Sequence, residues 1–262
     1  MPQCPHGPDG DAMIIRKSLK DIERMARSGE LLARTHDHIA PHVQAGVTTG
    51  ELDRIAEAFI REHGGVPTFK GYRGFTGTLC TSPNDMVVHG IPGDYELADG
   101  DLISIDCGVT LNGWVADAAK SYIVGGAGND EGQRLIDVAY ESLDAAIEQC
   151  VPGGWMGDIS HAVQQVVEAA GFGVIRKLVG HGVGRSLHED PQIPNYGTAG
   201  TPPRLEPGFV LAIEPMITVG DYDIVEDESD GWSIYTVDGS LAAHVEHTVA
   251  ITADGPRVLT RL

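Results

Sequence analysis

Apolar positions recur along the chain at two spacings, and the switching between them marks out helices and strands. Ile15, Leu19, Ile22 and Ala26 share one face of a helix predicted from Met13 to about Ile39. A second helix is predicted to start near Thr48, where Thr48 and Glu51 have capping-box spacing, and to end at Gly64-Gly65. Residues 66–100 are rich in Gly, Pro, Thr and Asn and suit strands joined by functional loops. Asp101 to Val124 reads as strand, turn, strand. Leu135, Ala139, Leu143 and Ala146 place a third helix over about Asp130–Gln149, and Val151–Gly154 breaks the pattern. A fourth helix runs on to Ala170, with Ile159, Val163, Val166 and Ala170 on one side. The remainder reads as strand and loop, including an acidic loop near Asp221–Asp230.

Two stretches resemble each other. Leu97-Ala-Asp-Gly-Asp-Leu-Ile-Ser-Ile-Asp106 and Leu205-Glu-Pro-Gly-Phe-Val-Leu-Ala-Ile-Glu214 keep a constant offset of 108 residues (97 to 205, 106 to 214). Each has a turn ending in Gly, one further residue, and an apolar strand closed by a carboxylate. A duplication would give two related halves whose acidic strand ends meet in one place.

Those strand ends carry the candidate chemistry. Asp106 closes Leu102-Ile103-Ser104-Ile105, an unfavourable place for a charge. Asn112-Gly113 is a strong signal for a two-residue hairpin turn. That turn sets Leu111 opposite Trp114 and Gly108 opposite Asp117, so Asp106 and Asp117 become diagonal neighbours on one face, roughly 7–8 Å apart at Cβ. Carboxylates so close repel unless a proton or a cation lies between them, or unless the face is solvated. Glu214 follows Phe209-Val210-Leu211-Ala212-Ile213 and precedes Pro215, which poses the same problem. In the run from His244 to Ile251, alternation puts His244, Glu246 and Thr248 on one face. Taken singly, each glutamate is more often a salt-bridge partner than a metal ligand.

Gly180-His181-Gly182-Val183-Gly184 adds an imidazole where the flanking glycines let backbone and ligand approach closely. His188 follows in Leu187-His188-Glu189-Asp190-Pro191, and His89 precedes Gly90. Four carboxylates and one imidazole form a hard, oxygen-rich set suited to Mn, Fe, Co or Zn, preferably two ions with bridging carboxylates. Such a pair performs hydrolytic chemistry.

Composition narrows the picture further. With 262 residues and 42 % hydrophobic content, the chain suits one large domain or two halves around a shared core. No run of about 18 apolar residues predicts a membrane span. Residues 1–12 are expected to form a flexible tail without the features of a signal peptide. The four cysteines are scattered, which disfavours a disulfide framework or structural zinc and suits a reducing cytoplasm. A net charge of −20 argues against nucleic acid or an anionic membrane as partner.

Taken together, Asp106, Asp117, His181, Glu214 and Glu246 resemble, in order and local context, the metal ligands of the methionine aminopeptidases. Cys80-Thr-Ser-Pro-Asn-Asp, His89-Gly-Ile-Pro, Gly180-His-Gly-Val-Gly, Ile213-Glu-Pro-Met and Glu246-His-Thr carry the resemblance, which runs from about Ile14 to the C-terminus. It implies an α+β pita-bread fold, two pseudo-symmetric halves around a central antiparallel sheet, with residues 13–262 as the catalytic domain. The short spacing from Glu214 to Glu246 resembles the type 1 enzymes, and Cys4 and His6 alone do not make the zinc-binding extension of eukaryotic members. The activity implied is removal of the initiator methionine from nascent proteins when the second residue is small, by a hydroxide bound to two divalent metals. By position, Asp117 and Glu246 bridge the metals, Glu214 shuttles protons, His188 stabilises the carbonyl oxygen, and His89 contacts the scissile amide. Tyr72, Phe75, Cys80 and Trp232 line the methionine pocket. Phe75 and Leu187 depart from the residues common in relatives, which bears on pocket shape. A cytoplasmic monomer passing transiently near the ribosome is expected.

Three other readings compete. An Xaa-Pro aminopeptidase or prolidase keeps the metals but usually carries a long additional N-terminal domain. A non-catalytic module on the same fold is marked by lost ligands. His188-Glu189-Asp190 with His244 imitates the facial triad of iron oxygenases, although Asp190-Pro191 reads as a turn.

Overall fold

The strongest local signal in the chain builds the strand pair at the centre of the molecule. In the computed structural model, which describes residues 14–262, Asn112 and Gly113 take positive φ values of 52° and 75°. These are the values that a two-residue hairpin with matching strand twist demands. The turn joins β4 (Leu102–Leu111) to β5 (Trp114–Ile123), with Leu111 opposite Trp114, Gly108 opposite Asp117 and Asp106 opposite Ala119. β1 (Val66–Pro67) and β2 (Leu79–Pro83) pair with β4, and Cys80 lies opposite Asp106. Helices α1 (Leu19–Ile39) and α2 (Thr49–Glu62) cover this sheet, burying Leu31, Leu32, Leu52 and Ile60 against Ile103 and Ile105.

The second half repeats the plan. Helices α3 (Asp130–Glu148) and α4 (Met156–Ala169) pack Leu135, Leu143, Ile159 and Val163 onto Leu211, Ile213 and Val249. The strands of this half begin with β6 (Gly173–Val174), β7 (Val179–Gly182), β8 (Glu189–Pro194) and β9 (Val210–Ile213). β14 (His247–Thr252) and β15 (Gly255–Val258) complete a sheet ordered β15-β14-β9-β7-β8, all antiparallel. The repeat in sequence is real in structure. Gly100 and Gly208 both have φ near the left-handed region (87° and 100°), and β4 and β9 start at Leu102 and Val210. Isolated bridges Thr48–Glu96 and Trp155–Arg204 occupy equivalent places before α2 and α4.

Two small sheets complete the molecule. β3 (Met86–Val88) pairs with β12 (Ile234–Thr236), which pairs with β11 (Ile224–Glu226). β10 (Met216–Thr218) lies between β6 and β13 (Ala242–His244). Among the described residues, no helix is long and apolar enough to cross a membrane.

The halves are stitched together along β5 and residues 244–248. The Thr248 hydroxyl accepts the Asp117 N–H (2.9 Å) and donates to the Asp117 carbonyl (2.7 Å). The Glu246 N–H donates to the Ala119 carbonyl at 3.0 Å. Ser121 Oγ donates to the His244 carbonyl (2.8 Å), and the His244 N–H donates to Ser104 Oγ (3.1 Å).

Three expectations need correction, and two calls lie outside the described residues. The first helix starts at Leu19 rather than Met13, because Ser18 and Asp21 form a capping box; Ile15 and Leu19 remain exposed despite fitting the apolar face. Met13 itself and the proposed tail at 1–12 lie outside the described residues. Part of the acidic loop is strand β11, and Asp190-Pro191 lies inside β8 rather than in a turn. The second helix does begin where Thr48 predicts, its hydroxyl accepting the Glu51 N–H at 3.2 Å.

The seam yields a stability prediction. Thr248→Val keeps the shape but leaves a buried N–H and carbonyl of Asp117 unpaired, so urea unfolding should show a loss of roughly 2–4 kcal/mol. Thr248→Ser, which retains the hydroxyl, should lose clearly less. Equal stabilities for the two variants would show that the seam does not rest on this hydroxyl.

Candidate metal centre

The strand ends of both halves converge at this seam. Asp106 and Asp117 come from the β4–β5 hairpin, where the register makes them diagonal neighbours on one face. Glu214 follows β9, and its carbonyl accepts the Asn195 amide at 2.9 Å. Because Ile213 pairs with His247, the next position along sets Glu214 beside Glu246. His181 enters from β7, opposite Ala212 of β9 and Gln192 of β8. A Cβ on Gly180 or Gly182 would run into the backbone carbonyls of Ala212 or Asp190, so the neighbours of His181 must be glycine for these strands to close.

Donor atoms of Asp117, His181 and Glu246 lie within 4.8 Å of one another. His181 Nε2 is 3.6 Å from Glu214 Oε1 and 3.8 Å from Asp117 Oδ2. Its Nδ1 is 2.9 Å from the Gly182 carbonyl, which assigns the ring proton to Nδ1 and leaves a lone pair on Nε2 facing the acids. The structure thus brings all five sequence-predicted side chains into one cluster. None of the four carboxylates forms a salt bridge with Lys or Arg among the described residues.

Burial sets the charge state. Desolvation pushes Asp106 up to about 7 and raises Asp117, Glu214 and Glu246 well above the usual carboxylate range, with the neighbouring acids adding to the effect for the last three. Burial also pushes His181 down to about 4, keeping it neutral and able to coordinate. Asp106 Oδ1, Asp117 Oδ1 and Glu246 Oε1 are buried without a hydrogen-bond partner. Unpartnered acceptors facing each other in an apolar sheet fit divalent cations, and hard oxygen donors with one imidazole fit Mn, Fe, Co or Zn.

The predicted pocket residues border this cluster. Phe75 and Trp232 meet edge to face at 5.1 Å, and with Tyr72, Cys80, Ile91 and Leu187 they belong to one apolar cluster. Cys80 shares the face of Asp106, and burial raises its thiol pKa well above the ordinary value. The Tyr72 hydroxyl and His188 Nδ1 are hydrogen-bonded at 2.9 Å, and the His188 ring lies 4.3 Å from that of His181. His89 follows β3 at φ 63°, an unfavourable conformation for a non-glycine residue, and its ring stands edge-on to Trp232 at 6.4 Å. Burial pushes His89 down to about 4.

Two features escaped sequence reasoning. Glu189 is held in a buried ion pair with Lys17 at 2.6 Å and accepts the Arg185 and Ser186 N–H groups, so it has no place in a facial triad. His244, which the sequence placed only in the competing facial-triad pattern, points Nε2 at Glu214 and Glu246; its i, i+2 relation to Glu246 is the signal for this placement.

A profile of metallopeptidase family M24 matches residues 23–253. The chain belongs to this family. It is 50 % identical over 248 residues to a methionine aminopeptidase of Clostridium perfringens, covering 95 % of this chain and 99 % of that one. It is 48 % identical over 250 residues to methionine aminopeptidase 1 of Bacillus subtilis, covering 95 % and 100 %. The crystal structure of methionine aminopeptidase from Rickettsia prowazekii superposes with a TM-score of 0.93 at 41 % identity, covering 95 % of this chain and 100 % of that one. A prolidase from Pyrococcus horikoshii, at 21 % identity and a TM-score of 0.75, shares the fold, covering 94 % of this chain and 63 % of that one. Membership in M24 makes the chain a metallo-hydrolase of the pita-bread fold, as the resemblance implied.

The charge state gives a pH prediction. The folded pKa of Asp106 is raised, so its protonated form stabilises the metal-free fold fully below its unfolded value, and this contribution is lost as pH rises through about 7. Metal loading should therefore raise Tm more at pH 8 than at pH 5. Loading near pH 6 should also release protons, read by calorimetry in buffers of different ionisation enthalpy. Binding without proton release would contradict this charge state.

Proposed function

We propose that this chain removes the N-terminal methionine of nascent polypeptides, hydrolysing the first peptide bond when the second residue is small. The convergence of Asp106, Asp117, His181, Glu214 and Glu246 on one buried point beside an apolar cluster carries this reading. Those five side chains would hold two divalent ions. Once bound, such a pair supplies an activated water and polarises the scissile carbonyl.

The chain's own residues do the rest. Tyr72, Phe75, Cys80 and Trp232 receive the unbranched thioether, where sulfur–aromatic contact favours methionine. His188, held by the Tyr72 hydroxyl, donates to the carbonyl oxygen as charge develops there. His89 contacts the scissile amide nitrogen. Glu214 takes a proton from the attacking water and passes it to the leaving amine. Residues 13–262 act as one catalytic domain. It is read as a cytoplasmic monomer that meets its substrate near the ribosome, and its net charge of −20 disfavours nucleic acid or an anionic membrane as a direct partner.

Methionine release from a Met-Ala-Ser peptide, with and without chelator, tests this directly. The metal-loaded chain should release methionine, and chelation should abolish release. Asp106→Ala should abolish turnover while leaving a cooperatively folding protein. Substantial peptidase activity in that variant would contradict the ligand assignment.

A further inference from the structure

His244 ends β13, and its backbone is fixed on both sides. Its N–H donates to Ser104 Oγ and its carbonyl accepts Ser121 Oγ, while the two hydroxyls bond each other at 2.8 Å. The ring is 2 % exposed, and Nε2 is a buried nitrogen with no hydrogen-bond partner. It lies 3.8 Å from Glu214 Oε2 and 3.8 Å from Glu246 Oε2. Glu214 is therefore flanked by imidazoles on two sides. His181 faces Oε1, the oxygen that would share an ion with it, whereas His244 faces Oε2. A carboxylate that gives one oxygen to a metal needs a donor on the other, or it rotates and loses its aim.

We propose that His244 is a positioning residue: its Nε2–H donates to Oε2 of Glu214 and keeps that carboxylate turned toward the metals. A movement of under about 1 Å closes that gap to hydrogen-bond length. The same fixed backbone that joins the two halves thus aims a ligand contributed by the second half. This inference rests on the metal reading of the cluster.

Gln and Met have nearly the same length, and at position 244 they differ chiefly in the presence of an N–H donor. Mn2+ binding by calorimetry on chelator-treated protein, and Met-Ala-Ser hydrolysis, should be compared for the parent, His244→Gln and His244→Met. His244→Gln should stay within about threefold of the parent, and His244→Met should weaken Mn2+ binding about 10–100-fold and lower kcat with KM little changed. His244→Asn, whose amide stops short of both carboxylates, should behave like His244→Met, and it provides the comparison if His244→Met does not fold. Co2+-loaded His244→Gln should keep the visible spectrum of the parent. Equal metal affinity in the donor and donor-free variants, with an active parent, overturns the proposal. An altered Co2+ spectrum in His244→Gln also overturns it, because His244 would then be a ligand itself. A parent that binds no metal and releases no methionine overturns the functional reading instead.

Discussion

Four carboxyl groups meet inside an apolar sheet, and the rest of the molecule is arranged around the cost of that meeting. Each ionised carboxylate loses the hydration it has in the unfolded chain, and none has a Lys or Arg partner among the described residues to offset the loss. Protons can relieve the cost of burial and the repulsion, and Asp106 is pushed up to about 7 and its neighbours well above the usual carboxylate range. Divalent cations relieve it better at neutral pH, since they offset several charges at once. The cluster is thus a liability to the metal-free fold and an asset once loaded.

Division of the chain into two similar halves makes such a cluster possible. Each half buries its own helices against its own sheet, so each has a separate core to support an acidic strand end. Asp106 and Asp117 come from the first half, and Glu214 and Glu246 from the second. Thr248 and the serines at 104 and 121 fix the register between them. The apolar cluster beside the acids is built the same way, with Phe75 and Cys80 from the first half and Trp232 and Leu187 from the second.

Legibility of the sequence followed the range of the interactions involved. Asn112-Gly113 fixed the β4–β5 register because turn chemistry and period-two alternation are local. The similarity between 97–106 and 205–214 predicted paired strands because it reports a repeated unit. Met13–Lys17 misled because Ile15 fits the helical face, while the Ser18 capping box sets the boundary regardless of that fit. The seam could not be read, since Thr248 meets Asp117 only after both halves have folded. The role of Lys17 against Glu189 was hidden for the same reason. The five candidate ligands sit in motifs of their own, whereas His244 has none and entered only through the competing facial-triad pattern.

The claim on which everything depends is that these acids hold a pair of divalent ions. Anomalous diffraction from crystals loaded with Mn2+ tests it most directly. Two peaks about 3.5–4 Å apart, enclosed by Asp106, Asp117, His181, Glu214 and Glu246, are the predicted result. Metal bound elsewhere while these five side chains remain unligated would contradict it.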